Sequence, residues 1–110
     1  MGKGKPDLLH GTLDLLILRS LSVNPMHGWG ISKHIQSLSE AVLEVNQGSL
    51  YPALYRLEDR GWIEAEWGTT DTGRRAKIYS LTRHGRSQLE KEESQWAAFS
   101  LAVNRILGTA

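Results

Sequence analysis

From Gln47 to Ile63 the chain reads QGSLYPALYRLEDRGWI, and this stretch limits the possible folds more than any other. Leu50, Leu54 and Leu57 recur at i, i+4 and i+7, which sets them in one apolar stripe on a helix. Gly61 ends that helix, and the apolar pair Trp62 and Ile63 opens an extended segment. The remaining faces carry Ser49, Tyr51, Ala53, Tyr55 and Arg56, several of them polar or aromatic groups able to reach groove edges and phosphates. Either Asn46 or Ser49 caps the helix. Pro52 favours Ser49, because proline is best tolerated in the first turn; a cap at Asn46 demands an irregular first turn.

After this helix comes the pattern of a hairpin. Trp62, Glu64 and Glu66 alternate with Ile63, Ala65 and Trp67, the period of a strand. Residues 68–73 are turn formers, and Ala76 to Leu81 is the return strand. A short helix succeeded by a two-stranded ribbon with a basic tip is the pattern of a winged helix-turn-helix, whose task is to read DNA.

Upstream, the first helix is expected from Leu8 to Val23. Leu9, Leu13, Leu16, Ile17 and Leu21 fill one face, while Leu15 and Leu18 widen it enough to suggest burial by both the core and a partner. Asn24-Pro25 ends it. A second helix is expected from His27-Gly28 to about Ser39 with Ile31, Ile35 and Leu38 toward the core, then a short strand over 42–45, with the third helix closing near Arg60. Downstream, Thr82 caps a last helix that has Gly85 in its first turn and reaches about Leu107. On it Leu89, Trp96 and Val103 are spaced by seven, with Phe99 and Ile106 alongside and Glu92 interrupting. This is a seam of the a/d type. Nothing in a chain of 110 residues obviously covers it, so a second copy is expected to, a helix folded back on its own core being the other reading. The expected class is mainly α with a small β-hairpin: a flexible arm over 1–7, a winged helix-turn-helix over 8–81, and a long C-terminal dimerisation helix over 82–110.

Cysteine is absent, which removes disulfides, thiol nucleophiles and cysteine-held zinc. No apolar run approaches the roughly 18 residues of a membrane span, and Asp14 and Arg19 interrupt any signal-peptide core, so a cytoplasmic protein is expected. The net charge of +1 says little; its distribution says more. Arg74, Arg75, Lys77, Arg83 and Arg86 fall together without an acid between them, as a local footprint for phosphate requires. An enzyme needs a constellation, and none is found: His27 and His34 lack a third metal ligand, and GSLY is not a nucleophile elbow. No catalytic residue, metal or cofactor is expected.

Only the N-terminal part of a helix laid in the major groove reaches base edges. That selects Gln47, Ser49 and Tyr51 for DNA contact, with Tyr55 one turn on; for either tyrosine, packing is the other reading. Arg56 has two readings, a phosphate or Asp59. Lys33 and His34 face either the backbone of the duplex or solvent, and His27 contacts phosphate or caps its helix. Arg74 and Arg75, with Lys77 behind them, are the strongest electrostatic candidates.

HGWGI at 27–31, GSLYPALYRLEDRGWI at 48–63 and RRAKIYSLTRHGR at 74–86 occur in this order and spacing. In them the chain resembles the PadR family of bacterial transcriptional regulators, particularly short members with a single C-terminal helix. Trp62 departs from the leucine more usual there. The resemblance covers about residues 8–107. It implies a homodimer through the first and last helices, with Leu13, Leu16, Leu89, Trp96, Phe99, Val103 and Ile106 at the interface, and repression at a two-fold site on double-stranded DNA. It also implies a small aromatic effector, because some members stack planar ligands on interface aromatics; Trp96 is the candidate, and burial in the dimer core is its other reading. Against a DNA reader stands a winged-helix module that binds protein alone, or a small-molecule sensor with DNA secondary.

Overall fold

The computed structural model describes residues 11–109, so the expected arm over 1–7 and the start of the first helix at Leu8 and Leu9 lie outside the described residues. The order is α1 (Thr12–Val23), β1 (Met26–His27), α2 (Gly28–Leu38), α3 (Gln47–Asp59), β2 (Ile63–Thr69), β3 (Arg75–Leu81) and α4 (Arg83–Leu107). The expected apolar stripes meet in one core: Ile17 and Leu18 of α1, Ile31 of α2, Leu50, Leu54 and Leu57 of α3, and Ile63 of β2 are all essentially inaccessible. Burying a side chain of this size is worth about 1.5–3 kcal/mol. That contribution, rather than helix propensity, holds a proline-containing α3 in place.

The sheet is three-stranded, antiparallel and ordered β1-β3-β2, so β3 is central. Ile63 lies opposite Leu81, Trp67 opposite Lys77 and Thr69 opposite Arg75. β1 was not expected. It is two residues long, pairing Met26 with Tyr79 and His27 with Ile78, and so offers no alternation to read. The expected strand over 42–45 is not formed. There the backbone bonds to side chains instead of a ladder: Leu43 N–H donates to Ser39 Oγ at 3.0 Å, and Ser32 Oγ donates to the Val45 carbonyl at 3.0 Å.

Leu38 does not face the core; it is 71% exposed at the end of α2. Immediately beyond it the chain turns away, with Glu40 N–H bonded to the Ser37 carbonyl and Ala41 N–H to that of Gln36. At the other end of the domain Thr82 caps α4: its Oγ1 accepts from Gly85 N–H at 2.9 Å and donates to the carbonyls of Gly61 and Trp62. Gly85 is required by close approach, since a Cβ there would lie 2.0 Å from the Trp62 carbonyl oxygen. The first turn of α4 is thereby locked onto the start of β2.

Two of the expected dimer residues serve this chain's own core. Leu13 and Leu89 are 8% and 6% exposed, because the N-terminal half of α4 packs directly against α1. Leu16 is half-buried against the same core. The uncovered seam therefore begins beyond Leu89: Trp96, Phe99 and Ile106 are 44%, 55% and 84% exposed, and Val103 is half-buried.

Candidate nucleic-acid interface

The N-terminus of α3 is capped by Asn46, whose side chain accepts from Ser49 N–H at 2.8 Å. Ser49 is therefore in the first turn rather than at the cap. The irregular first turn expected with this cap is not seen: Leu50 N–H makes the regular bond to the Asn46 carbonyl at 3.0 Å, and Ser49 N–H shares that carbonyl at 3.2 Å. Pro52, inside the helix, supplies no N–H to the carbonyl of Gly48, four residues back. Gln47, Gly48 and Ser49 are exposed, so the first turn presents the N–H groups of Gln47 and Gly48 and the positive end of its dipole outward.

The two tyrosines divide. The Tyr51 hydroxyl packs onto Gly28 at the start of α2, where a Cβ would lie 2.6 Å from it. Tyr51 thus braces α3 against α2 while remaining 44% exposed, whereas Tyr55 is 75% exposed. Packing between helices accounts for part of Tyr51 and none of the outer face of Tyr55.

On α2, Lys33 is exposed with its ammonium 5.0 Å from the centre of the Trp29 ring. His34 is half-buried and held from α1. The Ser20 hydroxyl, buried in α1, donates to the Leu16 carbonyl at 2.8 Å, and His34 Nδ1 lies 3.0 Å from Ser20 Oγ. Nδ1 must then carry the proton and donate, which ties one edge of the half-buried His34 ring to α1. His27 takes the capping role: its Nδ1 accepts from Gly30 N–H at 3.0 Å, leaving Nε2 as the protonated nitrogen of the neutral ring. Arg56 takes neither expected role. It turns inward and bonds Asp14 of α1, which is 6% exposed.

The wing loop over 70–74 is closed by Thr70 N–H to the Arg74 carbonyl at 2.8 Å and Gly73 N–H to the Thr70 carbonyl at 2.9 Å. Gly73, at φ 86°, makes the tight return that a side chain would resist. Arg74 and Arg75 stand exposed at this tip, with the Arg75 guanidinium 5.2 Å from the centre of the Trp67 ring. Lys77 is held further in, 3.6 Å from Glu58 of α3 and 5.7 Å from the Tyr79 ring centre. Its charge offsets Glu58 before it can meet a phosphate. Burial raises the Tyr79 phenol above its ordinary pKa, and the neighbouring Glu58 and then Tyr51 push the same way.

Between α3 and the wing these groups enclose a cleft of about 880 Å³, bordered by Trp29, Gln47, Tyr51, Tyr55, Trp67 and the wing residues 70–72 and 74–77. Trp29, Trp67 and Glu58 were not among the expected site residues. A signal was present for Trp67, which shares a strand face with Ile63 and Ala65, yet alternation alone does not tell that the outer end of that face overhangs α3.

Residues 17–91 match the Transcriptional regulator PadR-like family. The Mycobacterium tuberculosis protein named Transcriptional regulator Rv3488 is 36% identical over 78 residues, spanning 71% of this chain and 69% of that protein. The solved structure of a PadR-like transcriptional regulator from Bacillus cereus superposes with a TM-score of 0.77 at 30% identity, covering 90% of this chain and 94% of the other. A transcriptional regulator from Clostridium thermocellum superposes with a TM-score of 0.81 at 27% identity, covering 91% and 97%. The chain belongs to the PadR-like family of transcriptional regulators, and it is not an enzyme.

Proposed function

We propose that this regulator is a cytoplasmic homodimeric repressor that binds a two-fold operator. The observation that carries the reading is the juxtaposition of the exposed first turn of α3 with the exposed arginines of the wing tip. The helix enters the major groove with Gln47, Ser49 and Tyr55 toward base edges. Arg74 and Arg75 meet the adjacent phosphates or the narrow minor groove. Lys33, presented by Trp29, adds a backbone contact from α2.

The same reading includes release by a planar aromatic effector at the dimer seam. Trp96 is half-exposed with its ring tilted against Phe99, the centroids 5.8 Å apart. It borders a groove of about 240 Å³ with Thr12, Leu15 and Gln95. That is below the ~300 Å³ at which small-molecule sites begin, so a second copy is needed to complete it.

The test is fluorescence anisotropy on duplex from upstream of the protein's own gene, against a scrambled duplex, across a salt series. Preference for the native sequence with a steep log–log salt slope is expected. Arg74→Gln with Arg75→Gln should flatten that slope by up to about 3.6, at ~0.9 for each of four phosphates in a dimer. Equal, shallow binding to both duplexes would instead favour a module that binds protein.

A further inference from the structure

The row of α3 that faces the wing ends in an acid. Gln47, Tyr51, Tyr55 and Glu58 follow at i, i+4, i+8 and i+11, so they share one helix face. A carboxylate on a surface that receives phosphate opposes binding. The fold gains little from placing it there. Glu58 lies in the last turn of α3, where the helix dipole disfavours a negative charge. Its ion pair with Lys77, at 3.6 Å, joins side chains that are 35% and 41% exposed, and a pair so open to water adds little to stability. A residue that helix, fold and duplex all disfavour is where a functional role is expected.

What Glu58 holds is a cation. Arg75 and Lys77 are two residues apart on β3, so they share one face of the strand, about 7 Å apart along it. One stretch of phosphate backbone could therefore reach both. Arg75 rests its guanidinium on the Trp67 ring, whereas Lys77 is turned to Glu58. To meet a phosphate, Lys77 must leave a carboxylate, and that carboxylate then faces the duplex without its partner.

We infer that Glu58 limits affinity: it withholds Lys77 from the phosphate backbone, and so sets how tightly, but not where, this regulator binds DNA. The inference rests on the DNA-binding reading and adds a restraint to it. Phosphate contacts carry no sequence information. A freed Lys77 therefore adds the same gain on any duplex. The restraint shortens the life of each complex, because contacts completed after encounter act mainly on dissociation.

The experiment carries the duplex anisotropy and its salt series to Glu58→Gln, Lys77→Gln and the double variant, with far-ultraviolet circular dichroism as the check on folding. Glu58→Gln should bind about tenfold more tightly at about 0.1 M salt, by the same factor on native and scrambled duplex. Its log–log salt slope should steepen by up to about 1.8, at ~0.9 for each of two phosphates in a dimer. Labelled duplex chased with unlabelled duplex should leave the variant more slowly by a matching factor. Adding Lys77→Gln should abolish both the gain and the extra slope. A purely structural role for the pair predicts the opposite sign, a loss of affinity in Glu58→Gln as the wing loses a tie to α3.

Unchanged or weaker binding by Glu58→Gln would overturn the inference. So would a gain that survives in the double variant, since the acid would then act by repulsion alone. A gain confined to the native duplex would overturn it too, because Glu58 would then act on base reading. Wild-type protein that binds no duplex would remove the DNA-binding reading and this inference together. Wild type that binds, beside a Glu58→Gln that binds no tighter, would remove the inference alone.

Discussion

Arg56 and Asp14 are 42 positions apart in sequence and joined in the fold. Their charges follow from composition, but which cation meets which acid depends on how α1 crosses α3. Sequence spacing offered Asp59 at i+3 as the local partner, and the structure chose the distant one because Arg56 lies beside the buried stripe of Leu50, Leu54 and Leu57. Asp14 is 9% exposed at the side chain and Arg56 34%. Removing Arg56 therefore leaves a nearly buried carboxylate without its partner. Arg56→Leu should cost about 2 kcal/mol, less than the 3–5 of a fully buried pair because solvent still reaches the arginine. Asp14→Leu combined with Arg56→Leu should recover much of that loss. Urea denaturation of the three variants measures both effects. The salt slope of duplex binding by Arg56→Leu should equal that of wild type, since this guanidinium neutralises an acid and not a phosphate.

Helices with an apolar stripe and a hairpin with clean alternation were legible as elements, because their periodicity repeats over several turns or residue pairs. β1 was not, since two residues carry no period, nor was the irregular course over 42–45, where Ser32 and Ser39 satisfy backbone groups from outside the segment. In the site, the basic wing tip was legible as a charge cluster, and the cleft was not, because it arises between two elements. The helix ends show the same division. α3 ends with Gly61 at φ 78°, its N–H bonded to the Glu58 carbonyl and that of Trp62 to the Leu57 carbonyl. This is the Schellman arrangement with its usual glycine. α2 ends in the same two-bond pattern, but Glu40 occupies the glycine position at φ 53°. A left-handed residue other than glycine costs about 1–2 kcal/mol, and glycine loses part of that gain to its freedom in the unfolded chain. Glu40→Gly should accordingly stabilise the protein by about 1 kcal/mol, seen as a higher urea midpoint at unchanged m-value. A fall in the midpoint would mean that the exposed Glu40 side chain contributes more than its backbone conformation costs.

The molecule is less compact than its length warrants. Its radius of gyration is 15.0 Å, against about 13 Å for a globular domain of this size. α4 is the cause: 25 residues make a rod of about 37 Å, and only its N-terminal part is held by Gly85 and Leu89 against the domain. The far part exposes Trp96, Phe99, Ile106 and Leu107 to water. In the proposed dimer a second copy packed along this face would cover them and set two copies of α3 at a fixed separation, as a two-fold operator requires. The wild-type protein should therefore sediment at twice its 12.3 kDa chain mass at micromolar concentration. Phe99→Asp with Val103→Asp places two carboxylates per chain in the seam and should yield a monomer. Leu89 and the core beneath it are untouched, so the helix signal should fall only by what frays beyond residue 95. Duplex affinity should drop by about 10²–10⁴, the factor by which linking two sites exceeds one site binding alone. A monomeric variant that bound the full operator as tightly as wild type would show that α4 serves some end other than pairing two reading heads.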